Sequence, residues 1–105
     1  MYGFVETAEL LAMRQRAIDA LASGDPQPTI DYRNAAKSTI EHLKGDAFAR
    51  AQIGLLVAVA TIRRDAGDIP EYMNDLVDAQ QYAHHGRYDD IAEDIDYAIE
   101  EAEGS

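Results

Sequence analysis

The chain contains no cysteine and no tryptophan, only three prolines, and a single basic residue after position 64. Without cysteine, neither a disulfide framework nor a thiolate metal site can form, and the chain suits a reducing compartment. It has no long hydrophobic run. The most apolar stretch, AQIGLLVAVATI at 51–62, is 12 residues, against the roughly 20 that a membrane span needs. The opening MYGFVETAELL carries acid where a secretory leader would carry base. A cytoplasmic protein with no membrane partner is therefore expected. No run alternates with the period of two that a half-buried strand requires. There is also no glycine-rich phosphate loop and no serine beside a plausible base. Ser23 falls at a helix stop, Ser38 on a polar face and Ser105 at the terminus, so enzymatic activity is not expected.

What is present is five stretches with helical period. At 105 residues the chain makes one domain, 1–105, with an expected radius of gyration of about 14 Å. In the first stretch, Thr7 is placed to cap and Ser23-Gly24 to stop. Leu10, Leu11, Met13, Ala17, Ile18 and Leu21 share one side. DPQP (25–28) reads as a loop, because proline has no amide hydrogen and clashes with the preceding turn. A second helix follows from Thr29, with Tyr32, Ala36 and Ile40 on its apolar face and Gly45 closing it. Asp46 then reads as the cap of a third helix that is apolar almost all round, broken only by a strip of Arg50, Gly54, Thr61 and Arg64. Such a helix belongs at the centre of a domain or in an interface between copies. In the fourth, Asp68 and Glu71 have capping-box spacing, Pro70 suits the first turn and His85-Gly86 marks the end. In the fifth, Tyr88, Ile91, Ala92, Ile95 and Ile99 fall within one arc and every carboxylate falls outside it. The fold class expected is all-α: a compact antiparallel bundle of about five short helices around a central apolar helix.

The net charge is −11 and unevenly spread. Residues 1–64 hold seven acids and eight bases, whereas residues 65–105 hold thirteen acids and only Arg87. On the fifth helix, Asp89, Glu93, Asp96 and Glu100 run down one side and Asp90, Asp94 and Glu101 down another, with Tyr97 between them. The fourth carries Glu71, Asp75, Asp78 and Tyr82 on a polar side. Like charges three and four residues apart repel by a few tenths of a kcal/mol per pair, a cost that mixed charges would avoid. The bland explanation is a solvated face. The functional one is a surface for a basic partner, with carboxylates supplying long-range attraction and tyrosines supplying rigid contact area.

Other constellations weigh less. DDIAEDIDYAIE has the length of a calcium loop, but Asp94 stands where the turn glycine belongs and Ile91 and Ile95 replace oxygen ligands. His84 and His85 are adjacent, so on a helix they diverge by about 100°, and no metal or other cofactor is expected. Arg33, Lys37 and Lys44 form a modest basic stripe without interleaved aromatics, too little for direct nucleic-acid binding. Arg14 and Gln80 each lie inside an otherwise apolar arc and require a partner or a wet face. The reading is thus a monomer or small homo-oligomer that binds a basic protein surface stoichiometrically. That surface could be one that holds nucleic acid, since carboxylates can occupy cations otherwise paired with phosphates. Phage inhibitors of bacterial defence are of this class, by analogy of size and charge only. The alternative is a self-associating scaffold that uses the third helix, its acids merely solvated.

Overall fold

A computed structural model of the protein describes residues 4–104. They form five helices: α1 (Ala8–Ala22), α2 (Gln27–Ile40), α3 (Gly45–Asp65), α4 (Ile69–His85) and α5 (Asp89–Glu103). There is no strand among the described residues. The Cα radius of gyration is 13.4 Å, and the molecule is a slab measuring 37 × 37 × 17 Å.

Two hydrophobic clusters share α3, which explains why that helix is apolar nearly all round. Ala51, Leu55, Ala58, Val59 and Ile62 face α1 and α2, where they meet Leu10, Ala17, Tyr32, Ala36 and Ile40. Ile53 and Ala60 face the other way, toward Tyr72, Leu76 and Ala83 of α4 and Ile91, Ile95 and Ile99 of α5. By length and composition alone α3 could cross a membrane. Much of its apolar surface is instead covered within the chain, on two sides. The interrupting strip is used internally as well. Gly54 is buried, Arg50 reaches Asp90, and Thr61 accepts a hydrogen bond from Arg14. The fourth member of the strip, Arg64, is exposed in the last turn of the helix, beside Asp65.

Local signals fix most boundaries. Thr7 Oγ1 accepts from the Leu10 amide at 3.2 Å, and Asp68 Oδ1 accepts from the Glu71 amide at 3.3 Å. Two boundaries differ from the sequence reading. Helix α2 starts at Gln27, not Thr29, because Pro28 lies in the first turn, where the missing amide hydrogen has no intrahelical role; the loop is accordingly shorter than DPQP. At the other end α2 stops at Ile40, and Gly45 opens α3 at φ 60° instead of closing α2. The cap of α3 is Lys44, without a side-chain hydrogen bond. Asp46 is already inside the first turn, and its carboxylate accepts from the Tyr88 hydroxyl at 3.1 Å.

Helices α1, α3 and α4 end in the same Schellman turn. The paired bonds are Gly24 N to Leu21 O and Asp25 N to Ala20 O, Gly67 N to Arg64 O and Asp68 N to Arg63 O, then Arg87 N to His84 O and Tyr88 N to Ala83 O. The left-handed position belongs to Gly24 and Gly67, both at φ 91°, but in the third turn to Arg87, at φ 61°. The helix ends at His85-Gly86, as its sequence indicates, but Gly86 is the cap, with a φ of −81° that suits any residue, and not the left-handed position. Gly86 lacks a side chain for another reason: a Cβ there would collide with the Tyr88 ring. An L-residue in the left-handed region costs about 1–2 kcal/mol, partly offset by the lower entropy of the unfolded chain. Arg87→Gly should therefore stabilise the protein by about 0.5–1 kcal/mol. This would be read as a higher denaturation midpoint at unchanged slope; a lower midpoint would contradict the turn geometry.

Candidate protein-binding surface

Helix α5 presents its apolar arc to α4, with Ile91, Ala92, Ile95 and Ile99 buried. Its start is clamped onto the start of α3. The Arg50 guanidinium donates to both oxygens of Asp90, at 3.0 and 3.3 Å, and stands 5.0 Å above the Tyr88 ring. The Asp90 carboxyl is held down at about 2, first by that hydrogen bond. Further along, Asp96 lies on the edge facing α4. It accepts from Gln80 Nε2 at 2.6 Å and contacts His84 Nε2 at 3.1 Å, and these two neighbours pull its carboxyl below the ordinary range. Gln80, the polar residue in the apolar arc of α4, thus has its partner.

The carboxylates of α4 sit elsewhere. Asp75 turns toward α3, where Arg63 Nη1 lies 2.7 Å from each of its oxygens. Its side chain is only 15% exposed. Burial pushes its carboxyl up, against the opposing pull of Arg63. Glu71 is the outer partner of the same cation, at 3.6 Å. The acidic side of α4 therefore looks toward α3, while the opposite side, through Gln80 and His84, meets α5. The two rows are not one continuous surface. The tyrosines are separated in the same way. Tyr82, 56% exposed, borders a depression with Leu56, Asp78 and His85. Tyr97, 64% exposed, leans over another with Arg64, Ile69 and Tyr72.

Of the twelve residues singled out in the sequence, Glu71, Asp75, Asp90 and Asp96 thus have partners inside the fold. Asp78, Asp89, Glu93, Asp94 and Glu100 are exposed. Glu101 is exposed as well and borders the Tyr97 depression. The outward ridge of α5 is what remains as a charged face: Asp89, Glu93, Asp94 and Glu100, with Tyr97 alongside. Among the described residues no group of three His, Asp or Glu side chains is gathered to hold a metal ion. The internal roles of Arg50 and Arg63 leave no mark in the sequence, because pairing across helices depends on packing register. No protein-family model, no curated protein and no solved structure matches this chain.

Proposed function

We propose that the protein acts by stoichiometric contact with a basic protein surface, through the outward ridge of α5. The observation that carries this reading is the exposure of Asp89, Glu93, Asp94 and Glu100 beside the 64%-exposed ring of Tyr97. The C-terminal 41 residues, 65–105, offer only Arg87 to offset them. Such a ridge steers a cationic partner at long range, and the tyrosine supplies area of the kind found at binding hot spots. A surface that otherwise holds phosphates is the natural counterpart, so the protein would act as an inhibitor that imitates nucleic acid. The lack of cysteine suits action in the cytoplasm.

The test compares wild-type protein with D89N/E93Q/D94N/E100Q and with D75N as bait in native lysate under rising salt. Asp96 is left intact because it ties α5 to Gln80 and His84. A specific partner should be lost from the fourfold variant, retained by D75N and released by salt, and duplex DNA should compete for it. The fourfold variant should fold at least as stably as wild type, since each relieved like-charge pair is worth a few tenths of a kcal/mol. Equal retention by wild type and the fourfold variant would leave the ridge with solvation as its only role.

A further inference from the structure

Helices α2 and α4 both pack on α3 but, among the described residues, not on each other. Between them lies a cleft of about 350 Å³, within the range of small-molecule sites. Its floor is one stripe of α3: Phe48, Gln52, Leu55, Leu56 and Val59. Along the α2 wall stand Arg33, Lys37, Ile40 and Glu41, and the far wall is closed by the Arg63–Asp75 pair.

The cleft is polar along its length. Helices α2 and α3 are antiparallel neighbours joined by residues 41–44. Ile40 and Glu41 therefore lie beside Phe48, and Arg33 lies toward Arg63. The end near Arg63 gathers cations, and toward Phe48 the floor is apolar, with Glu41 on the wall above it. Arg63 is already neutralised by Asp75. Arg33 and Lys37, exposed and one turn apart, make no ion pair among the described residues. Glu41, the one carboxylate on that wall, stands one turn beyond Lys37, beside Phe48.

We propose that this cleft binds a small amphipathic carboxylate, its headgroup on Arg33 and Lys37 and its apolar body over Leu55, Leu56 and Phe48. Guanidinium and ammonium groups supply charge-assisted hydrogen bonds to the head, and the floor supplies the burial that an apolar tail requires. Charge also argues for a small occupant. At −11 overall, the protein repels an acidic macromolecule at long range, whereas a single carboxylate feels mainly the two cations on the rim. The site is independent of the α5 ridge.

The experiment is a titration of the isotope-labelled full chain with octanoate, using 1-octanol as the neutral counterpart, followed by amide shifts. Octanoate should shift Phe48, Leu55, Val59 and Arg63 saturably, and octanol should bind about tenfold more weakly or worse, since hydrogen bonds to charged groups carry about 1.5–3 kcal/mol. R33Q/K37Q should lose that advantage for octanoate and leave octanol unchanged. Gln52→Trp, which fills the cleft from the floor, should abolish both. Absence of saturable shifts, octanol binding as tightly as octanoate, or shifts centred elsewhere would each overturn the proposal. So would a peptide of residues 88–105 displacing octanoate at lower concentration, which would assign the cleft to the acidic helix of a second copy.

Discussion

Ile95→Ala should destabilise the protein by about 2–5 kcal/mol. Ile95 is 1% exposed and packs in the cluster that joins Ile53 of α3 to Leu76 of α4. Truncation removes the transfer free energy of the lost methylenes and leaves a void, which close-packed neighbours fill only in part. A domain of this size has about 5–15 kcal/mol in all, so the melting temperature should fall by about 10 °C or more. Unfolding should remain a single transition. The two clusters share α3, and neither can lose its packing without exposing the other's helix. Val77→Ala is the matched control on α4, because Val77 is 37% exposed. Thermal melts and chemical denaturation that gave the two variants equal costs would contradict the placement of the core. A second, separate transition in Ile95→Ala would contradict the role of α3 as the common element.

Much of this architecture is legible in local sequence, for identifiable reasons. Caps are short-range chemistry, so Thr7 and Asp68 are readable from their neighbours alone. The arc of Ile91, Ile95 and Ile99 identifies the buried face of α5 because helical period is a property of one segment. An all-round apolar helix belongs at the centre of a domain or in an interface between copies, and α3 lies at the centre, shared by both clusters. What is not legible depends on two segments at once. Whether Asp75 faces solvent or Arg63 is decided by how α4 rolls between α3 and α5, and no pattern within α4 encodes that roll. The same holds for Asp90 and Arg50, 40 positions apart. Hence a row of acids on α4 that looks identical in kind to the ridge of α5 is partly consumed by the fold. The cleft was hidden for the same reason. Its cations are visible in the sequence as a weak stripe on α2, but its floor becomes a floor only once α2 and α4 straddle α3. Arg87 in a left-handed turn is a different case: the sequence contains a glycine next to it, and glycine is the residue expected there.

The second large effect belongs to Glu6, which precedes α1 and falls in no periodic pattern. Its Oε2 accepts from the Tyr32 hydroxyl at 2.7 Å and from Arg14 Nε at 3.0 Å. Arg14 Nη2 donates on to Thr61 Oγ1 at 2.8 Å, and the Thr61 hydroxyl to the Ala58 carbonyl at 2.8 Å. One carboxylate thus ties the N-terminal segment to α1, α2 and, through Arg14, α3. This is the partner that Arg14, anomalous within its apolar arc, requires. Glu6→Ala leaves a fully buried tyrosine hydroxyl and a half-buried guanidinium without their acceptor, so it should cost about 2–3 kcal/mol. Unsatisfied polar groups cost about 1–3 kcal/mol each, and the partial exposure of the Arg14–Glu6 pair moderates its share. Tyr32→Phe removes a donor and leaves Arg14 paired, so it should cost about 1 kcal/mol. In the double variant the two costs should fall short of their sum, because the bond they share is counted once. Burial first, and then the bond to Glu6, raise the Tyr32 hydroxyl well above its ordinary 10.0. Its contribution is therefore complete below about pH 10 and is lost as alkali ionises the tyrosine in the unfolded chain and then in the folded one. Stability measured from pH 9 to 11 should accordingly fall less steeply in Tyr32→Phe than in wild type. Parallel alkaline limbs, or strictly additive costs for Glu6→Ala and Tyr32→Phe, would mean that the carboxylate and the phenol do not act as one unit.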